Sequence, residues 1–97
     1  MITLNEIKAI LVGHKVSLME RFKIKELAIF GSFLRGEETQ NSDVDLLVEF
    51  SEPVSFFAFL DLEEYLQKLL GRKVDLVTKK ALKPRIGKAI LKEMIRI

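Results

Sequence analysis

Apolar residues recur along this chain with two different periods, and the switches between them lay out its elements. Thr3-Leu4-Asn5-Glu6 has the pattern of a capping box, in which a threonine hydroxyl and a glutamate three residues on satisfy free N–H groups at a helix start. Ile7, Ile10, Leu11, Leu18 and Phe22 follow at spacings that place most of them on one face, which predicts a first helix from about residue 4 to 21. Glu26 to Phe30 is short and apolar and runs into Gly31-Ser32, the pattern of a buried strand entering a tight turn, with a segment able to start a short helix from Phe33. Gly36 to Ser42 is polar and turn-rich, and Asp43 to Phe50 reads as a second strand broken by Ser51 to Pro53. From Ser55 to Leu70 the residues Phe59, Leu62, Leu66 and Leu69 have helical spacing, and Gly71 stands where helices commonly stop in a left-handed turn. Lys73 to Val77 predicts a third strand, and Pro84 opens a last helix over Arg85 to Ile95 with Ile86, Ile90 and Met94 on one side.

The order helix, strand, strand, helix, strand, helix predicts an α/β (α+β) domain, a small mixed sheet of at least three strands packed by helices. No repeat, low-complexity tract or linker divides it, so residues 1–97 are expected to form a single domain. A composition of 48% hydrophobic and 31% charged residues belongs to an ordinary globular chain, and no apolar run approaches the length of a membrane span. The residues from Met1 to Glu6 lack the sections of a secretory signal, which predicts a cytoplasmic location. Cysteine is absent and His14 is the sole histidine, so any metal must be held by oxygen. A net charge of +2, with basic residues thickening only from Lys79 to Lys92 and no interleaved aromatics, argues against nucleic acid as the substrate.

Within this frame the chemistry-bearing pattern is acidic. Asp43 and Asp45, two apart on a strand, point to one face while Val44 points to the other. Two ionised carboxylates side by side repel unless a cation sits between them, and hard oxygen ligands of this kind suit Mg²⁺, which also binds phosphate oxygens. Alone, the pair reads equally well as a turn residue followed by a solvated strand residue. Gly31-Ser32 shifts that balance: N–H groups at such a turn form a concave donor site, glycine lets a phosphate approach the main chain, and the hydroxyl adds a donor. Asp75, flanked by Val74, Leu76 and Val77 on what reads as an interior strand, is unfavourable there unless it pairs with a cation or completes a three-carboxylate site. In the second case two metal ions about 3.5–4 Å apart would clamp the attacking and leaving oxygens of a displacement at phosphorus, with Asp75 deprotonating the acceptor hydroxyl.

Gly31-Ser32, ten intervening residues, Asp43-Val44-Asp45, and a later aspartate in Lys73-Val74-Asp75-Leu76-Val77 together resemble the DNA polymerase beta-like nucleotidyltransferase superfamily, and within it the minimal nucleotidyltransferases. The likeness covers nearly the whole chain, including Arg35-Gly36 and Gly71-Arg72. It implies that Gly31 and Ser32 contact the phosphates of ATP, that Asp43 and Asp45 bind Mg²⁺, two ions in all, and that Asp75 is the third catalytic and metal-binding acid. Arg35 stands close enough in sequence to approach the phosphates, although an exposed turn arginine is the ordinary reading. Leu34 departs from the family pattern, where a small residue is common.

Members of this branch are often antitoxins that bind a HEPN-domain ribonuclease toxin and, in some systems, attach AMP to one of its tyrosines. The resemblance therefore implies a protein adenylyltransferase with a HEPN toxin as partner, in a homo- or hetero-oligomer. The alternatives are an antitoxin that acts by binding alone and a small-molecule nucleotidyltransferase. Because the chain has no room for a separate acceptor domain, the acceptor surface is expected to come from a partner or another subunit. Leu91 and Ile95 lie off the main stripe of the last helix and either widen its core face or form a contact surface. Lys79, Lys80, Lys83, Arg85 and Lys88 follow the Asp75 strand and read chiefly as solvated surface. His14 reads as an exposed or capping side chain, and Phe56, Phe57 and Phe59 as core or, where exposed, as anchors for a partner.

Overall fold

The computed structural model describes residues 2–82 and 92–97. The expected first helix is two, α1 (Leu4–Gly13) and α2 (Lys15–Phe22), hinged at His14. The capping box is present, with the Thr3 side chain accepting from the Glu6 N–H. Gly13 weakens the middle of the segment, and the His14 ring nitrogen Nδ1 bonds the Ile10 carbonyl at 2.9 Å, drawing on an acceptor a continuous helix would use. His14 is thus a local capping side chain.

After α2 come β1 (Ile24–Phe30), the one-turn helix α3 (Ser32–Arg35), β2 (Val44–Phe50), α4 (Phe56–Leu70), β3 (Val74–Thr78), a 3-10 turn at Lys80–Leu82, and the short β4 (Ile95–Arg96). The Ser55 hydroxyl caps α4, and Gly71 ends it at φ 63°, as the sequence predicts. Arg85 to Leu91 of the expected last helix lie outside the described residues; Lys92 and Glu93 are helical. Ile95 corrects the expectation, because it pairs with Ile29 in β4 instead of continuing the helix. A two-residue strand is too short to show a period, so it has no signature in the sequence.

The strands form one mixed sheet in the order β3-β2-β1-β4. β1 pairs antiparallel with β2 and β4, while β2 and β3 run parallel, with α4 as the crossover between them. Side-chain alternation gives the sheet two unlike faces. On one, Leu27, Ile29, Val44, Leu46, Val48, Val74 and Leu76 pack with Ile7, Leu11, Leu18, Leu62, Leu66 and Leu70 of the three long helices in the main core. On the other, Ala28, Phe30 and Leu47 form a smaller cluster against Val77, Leu82 and Met94. Asp45 and Asp75 alternate with main-core residues and belong to this second face.

Candidate active site

The sheet register brings the site together. Asp45 is the Cα partner of Phe30 at the end of β1 and of Asp75 on β3, so two acids from distant parts of the sequence stand on adjacent parallel strands. The ordinary strand spacing puts their backbones about 4.8 Å apart. Asp43 lies just before β2 and is half-buried. Asp75 is exposed, which corrects the expectation of an interior strand: among the described residues β3 pairs only with β2, at the edge of the sheet. Its carboxylate faces solvent on the open side, so it needs no buried cationic partner.

Gly31 makes the turn from β1 into α3 at φ 80° and ψ −150°, a backbone conformation essentially restricted to glycine. Its missing side chain leaves room for the Asp45 carboxylate, since a Cβ there would lie 2.0 Å from Asp45 Oδ2. The Gly31-Ser32 turn and Asp45 are therefore in contact, and the Ser32 backbone N–H favours the charged form of that carboxylate. Burial nevertheless raises the Asp45 pKa above the ordinary carboxylate value, and the charges of Asp75 and then Asp43 add to the rise. Arg35 partly offsets this by its own charge, although it is exposed and pairs with Glu37 at 3.4 Å.

The structure thus collects Gly31, Ser32, Asp43, Asp45 and Asp75 at one end of β2 and β3, with Arg35 at the margin. Among the described residues no three His, Asp or Glu side chains converge tightly enough to form a finished metal cage. The donor set still fits Mg²⁺: it is all oxygen, its charges act on one another at Asp45, and Mg²⁺ commonly takes only one or two carboxylates, completing its shell with water and substrate phosphate. Lys79 points elsewhere, facing Glu26 at 3.9 Å and Glu49 at 4.0 Å, while Lys83, Arg85 and Lys88 lie outside the described residues.

Arg72 is the residue whose contacts the sequence did not foretell. Its Nε donates to the Ser42 carbonyl at 2.8 Å, and one terminal nitrogen donates to the carbonyls of Thr39 and Gln40, so its guanidinium grips the loop leading to Asp43. The available signal was an arginine directly after a helix-ending glycine and three residues before Asp75.

A model of the nucleotidyltransferase domain matches residues 13–97. The protein adenylyltransferase MntA of Thermococcus cleftensis is 50% identical over 97 residues, covering 100% of this chain and 98% of the relative. A solved minimal nucleotidyltransferase superposes with a TM-score of 0.77 at 33% identity, covering 94% of this chain and 95% of that one. A structure of a tri-AMPylated HEPN toxin from Shewanella oneidensis in complex with its MNT antitoxin shares the fold at a TM-score of 0.66 and 17% identity, covering 93% of this chain and 70% of that one. With the Gly31-Ser32 turn and the paired acids in the arrangement just described, this chain belongs to the nucleotidyltransferase domain family, as one of its minimal members.

Proposed function

We propose that the protein is a Mg²⁺-dependent adenylyltransferase that moves AMP from ATP to a hydroxyl group, a tyrosine of a HEPN-domain toxin, and thereby acts as an antitoxin. The observation that carries this reading is the register of Asp45 with Asp75 beside the Gly31-Ser32 turn. The N–H groups of the turn and the Ser32 hydroxyl are suited to bind the triphosphate. Asp75, exposed on the edge strand, would accept the acceptor's proton. The acceptor oxygen then forms a bond to the α-phosphorus, the bond from that phosphorus to the bridging oxygen breaks, and pyrophosphate leaves with the electron pair. Mg²⁺ would be held by Asp43, Asp45 and Asp75 with no more than two of these carboxylates to an ion, and would supply neutralisation of the charge developing on the phosphate oxygens. The 50% identity to an adenylyltransferase over the full chain and the AMPylated toxin of a fold relative support AMP as the transferred group and a toxin as its acceptor.

One observation favours a stable complex in addition to catalysis. Phe56 and Phe57 open α4 with 68% and 76% of their surfaces exposed, and Leu60 lies one turn on. The groove of about 830 Å³ beside Phe56 is lined by Phe50, Pro53, Phe59 and Lys79, at the opposite ends of β2 and β3 from the acids. We assign this patch to the toxin, whose docking there would leave the acids accessible.

The test is incubation with Mg²⁺, ATP labelled at the α-phosphate, and the protein encoded beside this gene as the candidate toxin. Label on a toxin tyrosine, lost in Asp43→Ala, Asp45→Ala and Asp75→Ala, is the expected result. Neutralisation of the toxin that survives in all three variants would overturn the catalytic reading and leave a binding antitoxin.

A further inference from the structure

We infer that Arg72 is a positioning residue for nucleotidyl transfer, one that sets where Asp43 stands relative to Asp45 and Asp75. The inference rests on the reading above that these acids carry the transfer.

The two acids from β2 are not held alike. Asp45 sits within a strand, paired on both sides with β1 and β3, so its backbone is fixed by the sheet. Asp43 precedes the first strand residue, Val44, and its backbone continues the loop before it. That loop is a turn closed on itself: the Ser42 N–H donates to the Thr39 carbonyl at 3.1 Å, the Thr39 N–H to the Ser42 hydroxyl at 2.8 Å, and the Asn41 N–H to the Thr39 hydroxyl at 3.3 Å. A turn so short anchors nothing by itself.

Arg72 ties it down. The carbonyls of Thr39, Gln40 and Ser42 converge on its guanidinium, and directly below it the Val44 N–H donates to the Lys73 carbonyl at 2.9 Å. Residues 42–44 are thereby stitched to residues 72–73, immediately before the paired Asp45 and Asp75. The guanidinium also lies over the Phe33 ring, 5.3 Å from its centroid. Phe33 is buried and follows Ser32 in α3, so one side chain joins the phosphate turn, the Asp43 loop and the root of the Asp75 strand.

Only arginine presents a rigid planar fork with several donors and a face that stacks on an aromatic ring. A lysine at this position reaches one or two carbonyls as a point charge and lacks the face. Without the fork the Asp43 carboxylate samples several positions, while Asp45 and Asp75 stay in register.

The experiment compares wild type with Arg72→Met and Arg72→Lys by amide hydrogen exchange, by Mg²⁺ titration read as the rise in Tm, and by transfer kinetics. Arg21→Met serves as the control, because Arg21 also lies over aromatic rings, those of Phe22 and Tyr65, but at a distance from the acids. In both Arg72 variants exchange is expected to quicken at the Ser42 and Val44 amides while that of β1 is unchanged. The Mg²⁺ midpoint is expected to rise about tenfold, in the range seen when the partners that orient metal ligands are removed. Turnover is expected to fall about 10²-fold, the scale of a displaced catalytic group, with lysine failing to rescue it. Should Arg72→Met fail to fold, Arg72→Lys carries the same comparison. Unchanged exchange at Ser42 and Val44, or a Mg²⁺ midpoint equal to that of wild type, overturns the proposal. Absence of transfer in wild type, with the exchange and Mg²⁺ effects present, instead overturns the functional reading and leaves the role of Arg72 standing.

Discussion

Gly31 and Asp45 compete for one small volume: a methyl group on Gly31 would lie 2.0 Å from Asp45 Oδ2, inside any permissible contact. The clash couples the Gly31-Ser32 turn to the Asp45 carboxylate, because the turn can hold its shape only while residue 31 has no side chain. Gly31→Ala is expected to act twice. It strains a backbone at φ 80° and ψ −150°, at a cost of about 1–3 kcal/mol, and it turns the Asp45 carboxylate out of its place. Transfer is expected to fall about 10²-fold, beyond what the stability loss accounts for. Thermal unfolding and kinetics on one preparation separate the two, and activity close to wild type would show that Asp45 can work from another rotamer.

Asp45 carries a second prediction, about stability and pH. Its pKa is raised when folded, first by burial and then by the charges of Asp75 and Asp43. The folded state then holds its proton more tightly than the unfolded one, whose carboxyl titrates near ~3.9. Stability from this group is fully present below that value and is lost as pH rises through the raised folded value, so at pH 7 the ionised carboxylate is a net cost. Asp45→Asn removes the charge at nearly constant shape. Its Tm at pH 7 is expected to exceed that of wild type by a few degrees, and the gap to close as pH falls below 4. Mg²⁺ should narrow the gap from the other side by raising the Tm of wild type alone. A variant less stable than wild type at pH 7 would contradict the charge cost read here.

How much of this was legible in the chain depends on the range of the interaction concerned. Asp43, Asp45 and the Gly31-Ser32 turn stood out because a period of two and a glycine after an apolar run are local signals. The α4 boundaries were legible for the same reason, with Ser55 and Gly71 as caps at its two ends. The break at His14 was not, because Ile7, Leu11 and Leu18 keep a helical spacing across it and all reach the same core. The strand order is a long-range outcome, so the placement of Asp75 at an edge could not be read from Val74 and Leu76, whose burial comes from helices on one face only. The grip of Arg72 on residues 39–42 joins segments some thirty residues apart, and no spacing rule announces it.

A substitution at Ser32 separates the proposed binding of nucleotide from folding. The cap of α3 is Gly31, which has no side chain, so the Ser32 hydroxyl is not the group that caps this turn. Ser32→Ala is therefore expected to leave stability within about 0.5 kcal/mol of wild type. In the proposed function its loss removes one hydrogen bond to a charged phosphate, worth about 1.5–3 kcal/mol, so KM for ATP is expected to rise by about tenfold or more. Isothermal titration with a non-hydrolysable ATP analogue measures this directly. Equal affinity in the two proteins would assign phosphate binding to the backbone N–H groups alone.

The last prediction concerns the aromatic pair at the start of α4. Phe56 and Phe57 stand with ring centroids 6.3 Å apart and most of their surface in solvent, an arrangement that adds little to the fold. Phe57→Glu is accordingly expected to change stability by no more than about 0.5 kcal/mol. If the toxin seats on this patch, the same change places an unpaired charge in the contact and weakens the complex by about 2 kcal/mol or more, close to a thirtyfold loss of affinity. Because the acids lie at the other ends of β2 and β3, Mg²⁺ and ATP should still bind the variant as they bind wild type. AMP transfer to the toxin would then fall at low toxin concentration and recover as its concentration is raised, the pattern of a lost docking contact. A complex of unchanged affinity would remove this patch from the interface and direct the search to the open face around Asp75.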